Sequence, residues 1–356
     1  MFLAINELIK EKARFILIIT VIALVSYLTF FLTALAYGLA TSYTQGIEKW
    51  QAGGIALQKD ANENIARSLL TSKDYAGLLG DDAALLGVST ATVEQDDKED
   101  VSLFGMEPGS FLWPSTTEGR LAETDQEVVV SDELKQIGFI LGADLQFKGG
   151  ESKYKIVGFT DHATFQTSPI VYMRLGEWRT ATSEISGMTG MRDDTTVSAL
   201  VTSKQADASK FGGTNLQWQS ISDFSFKLPG YSAQVLTFGT MIGFLIAIAS
   251  FVLAIFMYIL TLQKKSIFGV LKAEGLPNSY ISRSVKVQIV VLSVLGMAIG
   301  FVLTMLTGFF LAGTVPFLVQ PLFFIAIVAL FLLCAAIGGI ASVWAVTKID
   351  PVEAIG

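Results

Sequence analysis

From Ala233 to Leu262 the chain reads AQVLTFGTMIGFLIAIASFVLAIFMYILTL, without one charged side chain. A helix needs about 20 such residues to cross roughly 30 Å of hydrocarbon. A charge at its centre would cost about 2.5–3.5 kcal/mol. The stretch reads as a transmembrane helix. Working outward, Phe15 to Leu39, Val287 to Val315 and Pro321 to Val346 share its character, so the sequence predicts four transmembrane helices. In the earliest of these runs Ala34-Leu35-Ala36 resembles a signal cleavage site, but a signal core is only about 7–15 residues long. The run is read as an uncleaved helix.

The whole chain has 356 residues, 51% hydrophobic and 16% charged, with a net charge of −7. Soluble domains are about 25% charged. One cysteine, Cys334, excludes a disulfide framework or a cysteine zinc cluster, and one histidine, His162, excludes a histidine-built metal centre. The acidic balance argues against nucleic acid as a partner.

The charges sort by segment. Residues 40–232 carry 27 acidic and 16 basic side chains, the remainder 5 acidic and 9 basic. The basic residues outside the large segment flank the apolar runs: Lys10, Lys12 and Arg14; Lys264, Lys265, Lys272, Arg283 and Lys286; and Lys348. The positive-inside rule then places both termini and the 263–286 loop in the cytoplasm, and residues of about 40–232 outside the plasma membrane.

The expected organisation follows. Residues 1–14 form a cytoplasmic segment, 15–43 a membrane helix with an outer extension, and 44–230 an extracytoplasmic α+β domain. Helices 231–262, 287–315 and 321–346 follow, with a cytoplasmic loop at 263–286 and a tail at 347–356. In the outer domain Glu127–Ser131 and Tyr154–Phe159 are β-branched runs between turn residues and read as strands. Ile65–Leu70 and Asp132–Ile137 read as short helices, and Gln95–Asp100 as a solvated loop. His162, beside Asp161, reads as a surface histidine after a strand rather than a proton shuttle or haem ligand. No metal spacing or nucleophile motif occurs. No P-loop sequence occurs either, so any ATP-driven role needs a partner.

Ser266 to Ile281 looks like a short helix closed by Gly275 and a Pro-Asn turn. Its residues Ile267-Phe-Gly-Val-Leu-Lys-Ala-Glu-Gly275 and Tyr280-Ile281, with the terminal Asp350-Pro-Val-Glu-Ala-Ile355, resemble the FtsX/MacB-like ABC-transporter permeases. Gly119-Arg-Leu121, Glu127 to Asp132 and Gly138 to Asp144 resemble that family's extracytoplasmic core domain. The resemblance spans almost the whole chain. Glu274 departs from it, standing where these proteins usually carry an apolar residue.

The resemblance implies a MacB-like (type VII) architecture and a homodimer with two copies of a separate ATP-binding subunit. It implies that the chain itself is no enzyme. Docking would fall on Ile267, Gly269, Val270, Leu271, Lys272, Glu274 and Gly275. Met1 to Leu8, Arg14-Phe15 and Ile349 to Gly356 look most like the haem-exporter permeases of Gram-positive bacteria. That implies haem as the transported substrate, taken from the outer leaflet and expelled by mechanotransmission, with no covalently bound cofactor and no metal beyond haem iron. An FtsX-like permease that signals to an outer cell-wall hydrolase, and a MacB-like exporter of a lipid, peptide or drug, are the alternatives.

Residues spaced by three and four share a helix face. Phe30, Ala34, Tyr37, Thr41, Thr44 and Glu48 follow that spacing, apolar first and oxygen-bearing last. Tyrosinate is a known axial haem ligand. Tyr37 and Glu48 are therefore haem-ligand candidates, with Phe30 beneath them; Tyr231, Phe238 and Met241 offer a second set. Gly239, Gly243, Ala247 and Ala254, and the Gly296-x-x-x-Gly300 pair, are spacings that let helix backbones meet. Whether each meets its own chain or another copy stays open at this level.

Overall fold

The computed structural model describes residues 12–187, 195–263, 267, 269–270, 273–275, 277–311 and 315–347. The chain divides into two compact units: Met1–Gly38 with Leu236–Gly356, and Leu39–Val235. The long helices are α1 (Lys12–Ser42), α2 (Leu175–Ser186), α3 (Tyr231–Gln263), α4 (Asn278–Phe310) and α5 (Pro321–Thr347). Among the described residues Phe15–Ser42, Tyr231–Phe256 and Ser282–Phe310 are long and apolar enough to cross a membrane; Pro321–Ile337 of α5 is a shorter apolar stretch.

The hydroxyl groups inside α1 bond back along their own helix. Ser26 Oγ donates to the Ile22 carbonyl at 2.7 Å and Thr33 Oγ1 to the Thr29 carbonyl at 2.7 Å. Such bonds keep polar groups satisfied where no water reaches. Gly296 and Gly300 let α4 lie directly on α1. A side chain at Gly300 would collide with Ser26 Oγ, and one at Gly296 with Ile22. Phe30 stacks on Phe324 with ring centroids 5.0 Å apart and meets Phe301 edge-on, locking α5 to the same pair.

The expected run 287–315 is longer at its start and shorter at its end. Pro277, in extended conformation, caps a helix that begins at Asn278. Charge at Arg283 and Lys286 does not interrupt a helix, although it does end an apolar run. Gly275 takes φ +86°, the left-handed turn that separates α4 from the preceding segment.

The other unit is built on one eleven-stranded mixed sheet. Its strands are β1 (Gly54–Gln58), β2 (Ala83–Glu94), β3 (Lys98–Met106), β4 (Glu118–Gly119), β5 (Glu127–Ser131), β6 (Asp144–Gln146), β7 (Lys153–Thr160), β8 (Thr164–Phe165), β9 (Ser168–Arg174), β10 (Ala199–Thr202) and β11 (Leu216–Ser220). The order is β11-β1-β10-β2-β3-β9-β5-β7-β4, with β6 on β7 and β8 on β9. β3 runs parallel to β9 and β5 parallel to β7.

Both faces of the sheet are covered. Val128 and Val130 enter one core and Val129 the other, which is why β5 reads as an unbroken valine run rather than an alternation. α2 lies over β2 and β3, where the fully buried Trp178 fills the space beside Gly87 and Gly105.

The expected strands Glu127–Ser131 and Tyr154–Phe159 are β5 and the body of β7. Asp132–Ile137 is a short helix over the expected bounds, of 3-10 type and closed by Gly138 at φ +93°. Two other expectations change. Ile65–Leu70 is helical only over the 3-10 turn Ile65–Arg67, started by the Asn64 side chain, because Leu70 leaves to bridge Val197. Gln95–Asp100 is a loop only at its tip: Lys98 to Asp100 belong to β3, in register with β2 from Glu94↔Lys98 onward.

Burial pushes the Glu133 carboxyl up to about 7, assisted by the charges of Asp132 and Glu99. Its ordinary value is 4.5. Between those values the folded chain keeps a proton that the unfolded chain has released. Stability therefore falls as pH rises through that window and levels off above it. Glu133→Gln should remove this slope, stabilising the chain at pH 8 by about 1–2 kcal/mol and hardly at pH 4. Thermal unfolding as a function of pH checks this; parallel curves for parent and variant would refute it. Glu127 behaves oppositely. Arg120 donates to its carboxylate, with Nη1 to Oε2 at 2.8 Å, and holds its pKa down at about 2.

Candidate functional site

Within the helical unit, α1 and α3 border an open groove of about 680 Å³. Leu32 of α1 forms one wall. Thr237, Thr240, Met241, Phe244, Leu245 and their neighbours on α3 form the rest. The α3 residues recur at three- and four-residue steps, so they occupy one helix face. Phe244 is 67% exposed and Met241 40% exposed, which leaves both side chains free to meet a ligand. Thr240 Oγ1 donates to the Leu236 carbonyl and keeps its lone pairs for an acceptor role. The groove thus offers a wide apolar surface, a thioether sulfur and hydroxyl oxygens. Its size falls within the about 300–1,000 Å³ of ligand sites. It holds no charged group and suits a large, flat, apolar molecule.

The six ligand candidates separate. Met241 lines the groove. Phe238, half-buried, lies on α3 outside the lining. Phe30 is 1% exposed between Phe301 and Phe324; it is a core residue of the helix packing, so its place on the candidate face is corrected. The Tyr37 ring packs edge-on against Phe323 at 5.5 Å.

Glu48 and Tyr231 belong to the other unit. α1 ends at Ser42, and Gln45–Glu48 is a separate short helix. The three-and-four spacing therefore does not carry one straight face from Tyr37 to Glu48. Glu48 instead accepts a hydrogen bond from Thr44 Oγ1 at 2.7 Å. Tyr231 packs between Tyr43 and Phe226, at 5.7 and 5.9 Å. His162 is exposed after β7 with φ +43°, and its neighbour Asp161 is held by Lys49 Nζ at 3.1 Å. The structure adds Leu32, Thr237, Thr240 and Phe244 to the candidate residues, and the steps 237, 240, 244 and 248 carry their signal in the sequence.

Of the expected docking residues, Ile267, Val270, Glu274 and Gly275 are exposed and Gly269 is buried. The Glu274 amide donates to the Val270 carbonyl at 2.9 Å, just before the Gly275 turn. Leu271 and Lys272 lie outside the described residues.

The chain thus combines helices long and apolar enough to cross a membrane, a large sheet unit and a groove on the helices. Residues 239–351 match the family model described as FtsX-like permease C-terminal. Over those residues the chain carries an FtsX-like permease domain. Relatives from Staphylococcus haemolyticus and Staphylococcus epidermidis, which carry the name hemin transport system permease protein HrtB, are each 24% identical over 100% of this chain and 99% of their own. An uncharacterized ABC transporter permease of Mycobacterium bovis is 25% identical over the same shares. Among solved structures, the extracellular domain of the noncanonic ABC-type transporter YknZ from Gram-positive bacteria is 14% identical, covers 48% of this chain and 98% of that chain, and has a TM-score of 0.32. That likeness is too distant to bear on function.

Proposed function

We propose that this chain is the permease subunit of an ABC efflux system that removes haem from the membrane. The observation that carries the reading is the apolar groove with Met241 on its wall. Methionine sulfur is a known axial haem ligand, and the surrounding apolar surface suits the macrocycle. The names of the staphylococcal relatives support the same substrate. Two copies of the chain would act with two ATP-binding subunits. The exposed helical piece around Ile267 and Val270 would dock on them, and ATP-driven motion would be transmitted to the groove. The basic flanks support cytoplasmic termini and an outer sheet domain.

Titrating the full-length protein with haemin tests this. The parent should give a saturable Soret shift. Met241→Leu should weaken binding about tenfold, or about 1.4 kcal/mol. Tyr37→Phe, in which the hydroxyl alone is lost, should bind as the parent does. A parent without saturable binding would overturn the haem reading, and a Met241→Leu variant that binds normally would remove the sulfur ligand.

A further inference from the structure

We infer that two copies of this chain join their sheets through β11, strand against strand, with Trp218 at the two-fold axis. This rests on two copies of the chain acting together.

The two ends of the sheet are unlike. One ends in β4, only two residues long, with Gly119 in the left-handed region and Glu118 and Arg120 at its sides. Short length and charge are the usual means of keeping a sheet edge from pairing. The other ends in β11, Leu216–Ser220, which carries no charged residue, proline or glycine. Among the described residues no strand lies beyond it.

The main chain of β11 is set for a partner. The Lys59 amide donates to the Asn215 carbonyl at 3.0 Å, and the register continues through Leu57↔Gln217 and Ile55↔Gln219. Antiparallel strands exchange hydrogen bonds at every second residue, so Gln217 and Gln219 face β1. Trp218, between them, turns both its amide and its carbonyl to the open side. The Leu216 amide is already taken by Thr214 Oγ1 at 3.2 Å, which makes Trp218 the centre of the open stretch.

Charge and symmetry identify a second copy as the occupant. Pairing centred on Trp218 sets Gln217 opposite Gln219 of the partner subunit. Gln217 Nε2 donates to Glu63 Oε1 at 3.2 Å, and Lys227 Nζ donates to Gln219 Oε1 at 3.3 Å. Within one copy Glu63 and Lys227 pair at 2.6 Å. Across the axis each carboxylate comes beside the ammonium of the other copy, so the charges alternate in sign. Such complementarity fixes register and rejects other partners. The passages toward the spanning helices pack on one face of the sheet: Ile47 and Trp50 after α1, Phe224 and Leu228 before α3. Copies inserted alike in one bilayer present that face in the same sense. Identical edges then meet antiparallel and extend one continuous sheet.

Register-specific disulfide formation tests the inference in the full complex with its ATP-binding partner in nanodiscs. Cys334→Ser removes the native thiol. Differently tagged copies, one Gln217→Cys and one Gln219→Cys, are co-expressed, purified by both tags in turn and oxidised. Opposite residues of this kind stand about 4.5 Å apart at Cα, within disulfide reach. The mixed pair should give about fivefold more covalent dimer than either variant alone. Gln219 is buried, so a spin label at the exposed Gln217→Cys gives a second reading. Its two Cα atoms would lie about 8 Å apart, broadening the spectrum until labelled copies are diluted with unlabelled ones. Equal cross-linking in all samples, or neither cross-link nor broadening, would overturn the β11 interface and leave two copies acting together. Failure of the two tags to co-purify would remove the two-copy reading itself, and the inference with it.

Discussion

Gly300→Val is expected to destabilise the helical unit by roughly 2–3 kcal/mol, whereas Gly239→Val leaves its stability near that of the parent. The residue change is the same and both sites are glycines in apolar helices, so propensity cannot separate them. The surroundings do. A side chain at Gly300 would run into Ser26 Oγ and lie 2.8 Å from both the Ala23 carbonyl and the Tyr27 amide, while Gly239 faces open space. Two of those three obstacles are backbone and cannot rotate away, so α4 must lift from α1 and stretch the 3.1 Å hydrogen bond between the Tyr27 hydroxyl and Thr307 Oγ1. Thermal unfolding of purified variants, followed by size-exclusion chromatography, reads the difference. Equal stability for the two variants would mean that α4 does not sit on α1 through this seam.

Trp178→Ala carries the largest expected effect in the sheet unit, a loss of about 3–5 kcal/mol. The indole is fully buried, and its Nε1 donates to Ser89 Oγ at 2.9 Å. Neighbours often relax into a cavity. Here the two positions facing the ring, Gly87 and Gly105, have no side chains to move, and they lie on paired strands. The void would therefore stay largely open and α2 would lose its hold on the sheet. Trp178→Phe should retain part of the stability. Denaturant unfolding monitored by circular dichroism checks the series, and a parent-like midpoint for the alanine variant would refute this role.

Both predictions rest on glycines whose meaning sequence alone could not settle. Gly239-x-x-x-Gly243 and Gly296-x-x-x-Gly300 present the same spacing in equally apolar runs. Only the fold shows that the latter pair meets α1 of its own chain while the former faces open space. Phe30 and Met241 make the same point for the site. Each sits on an apolar helix face, and periodicity assigns a face without saying what covers it. Tertiary packing buried Phe30 beneath Phe324 and left Met241 on a groove wall. The break after Ser42 was equally hidden, since helical spacing continues on paper through residues that in fact turn.

What the sequence determined by itself was set by solvent. Long uncharged runs have lower free energy in hydrocarbon and charged segments in water, a preference each segment carries wherever it lies in the chain. The helical runs, the composition of the intervening domain and the doubly covered valine strand were legible for that reason. What the tertiary structure alone decided was pairing: which glycine touches which helix, which aromatic is core, and where two helices leave room for a ligand. Those outcomes depend on contacts between residues far apart in sequence, and no local pattern encodes them.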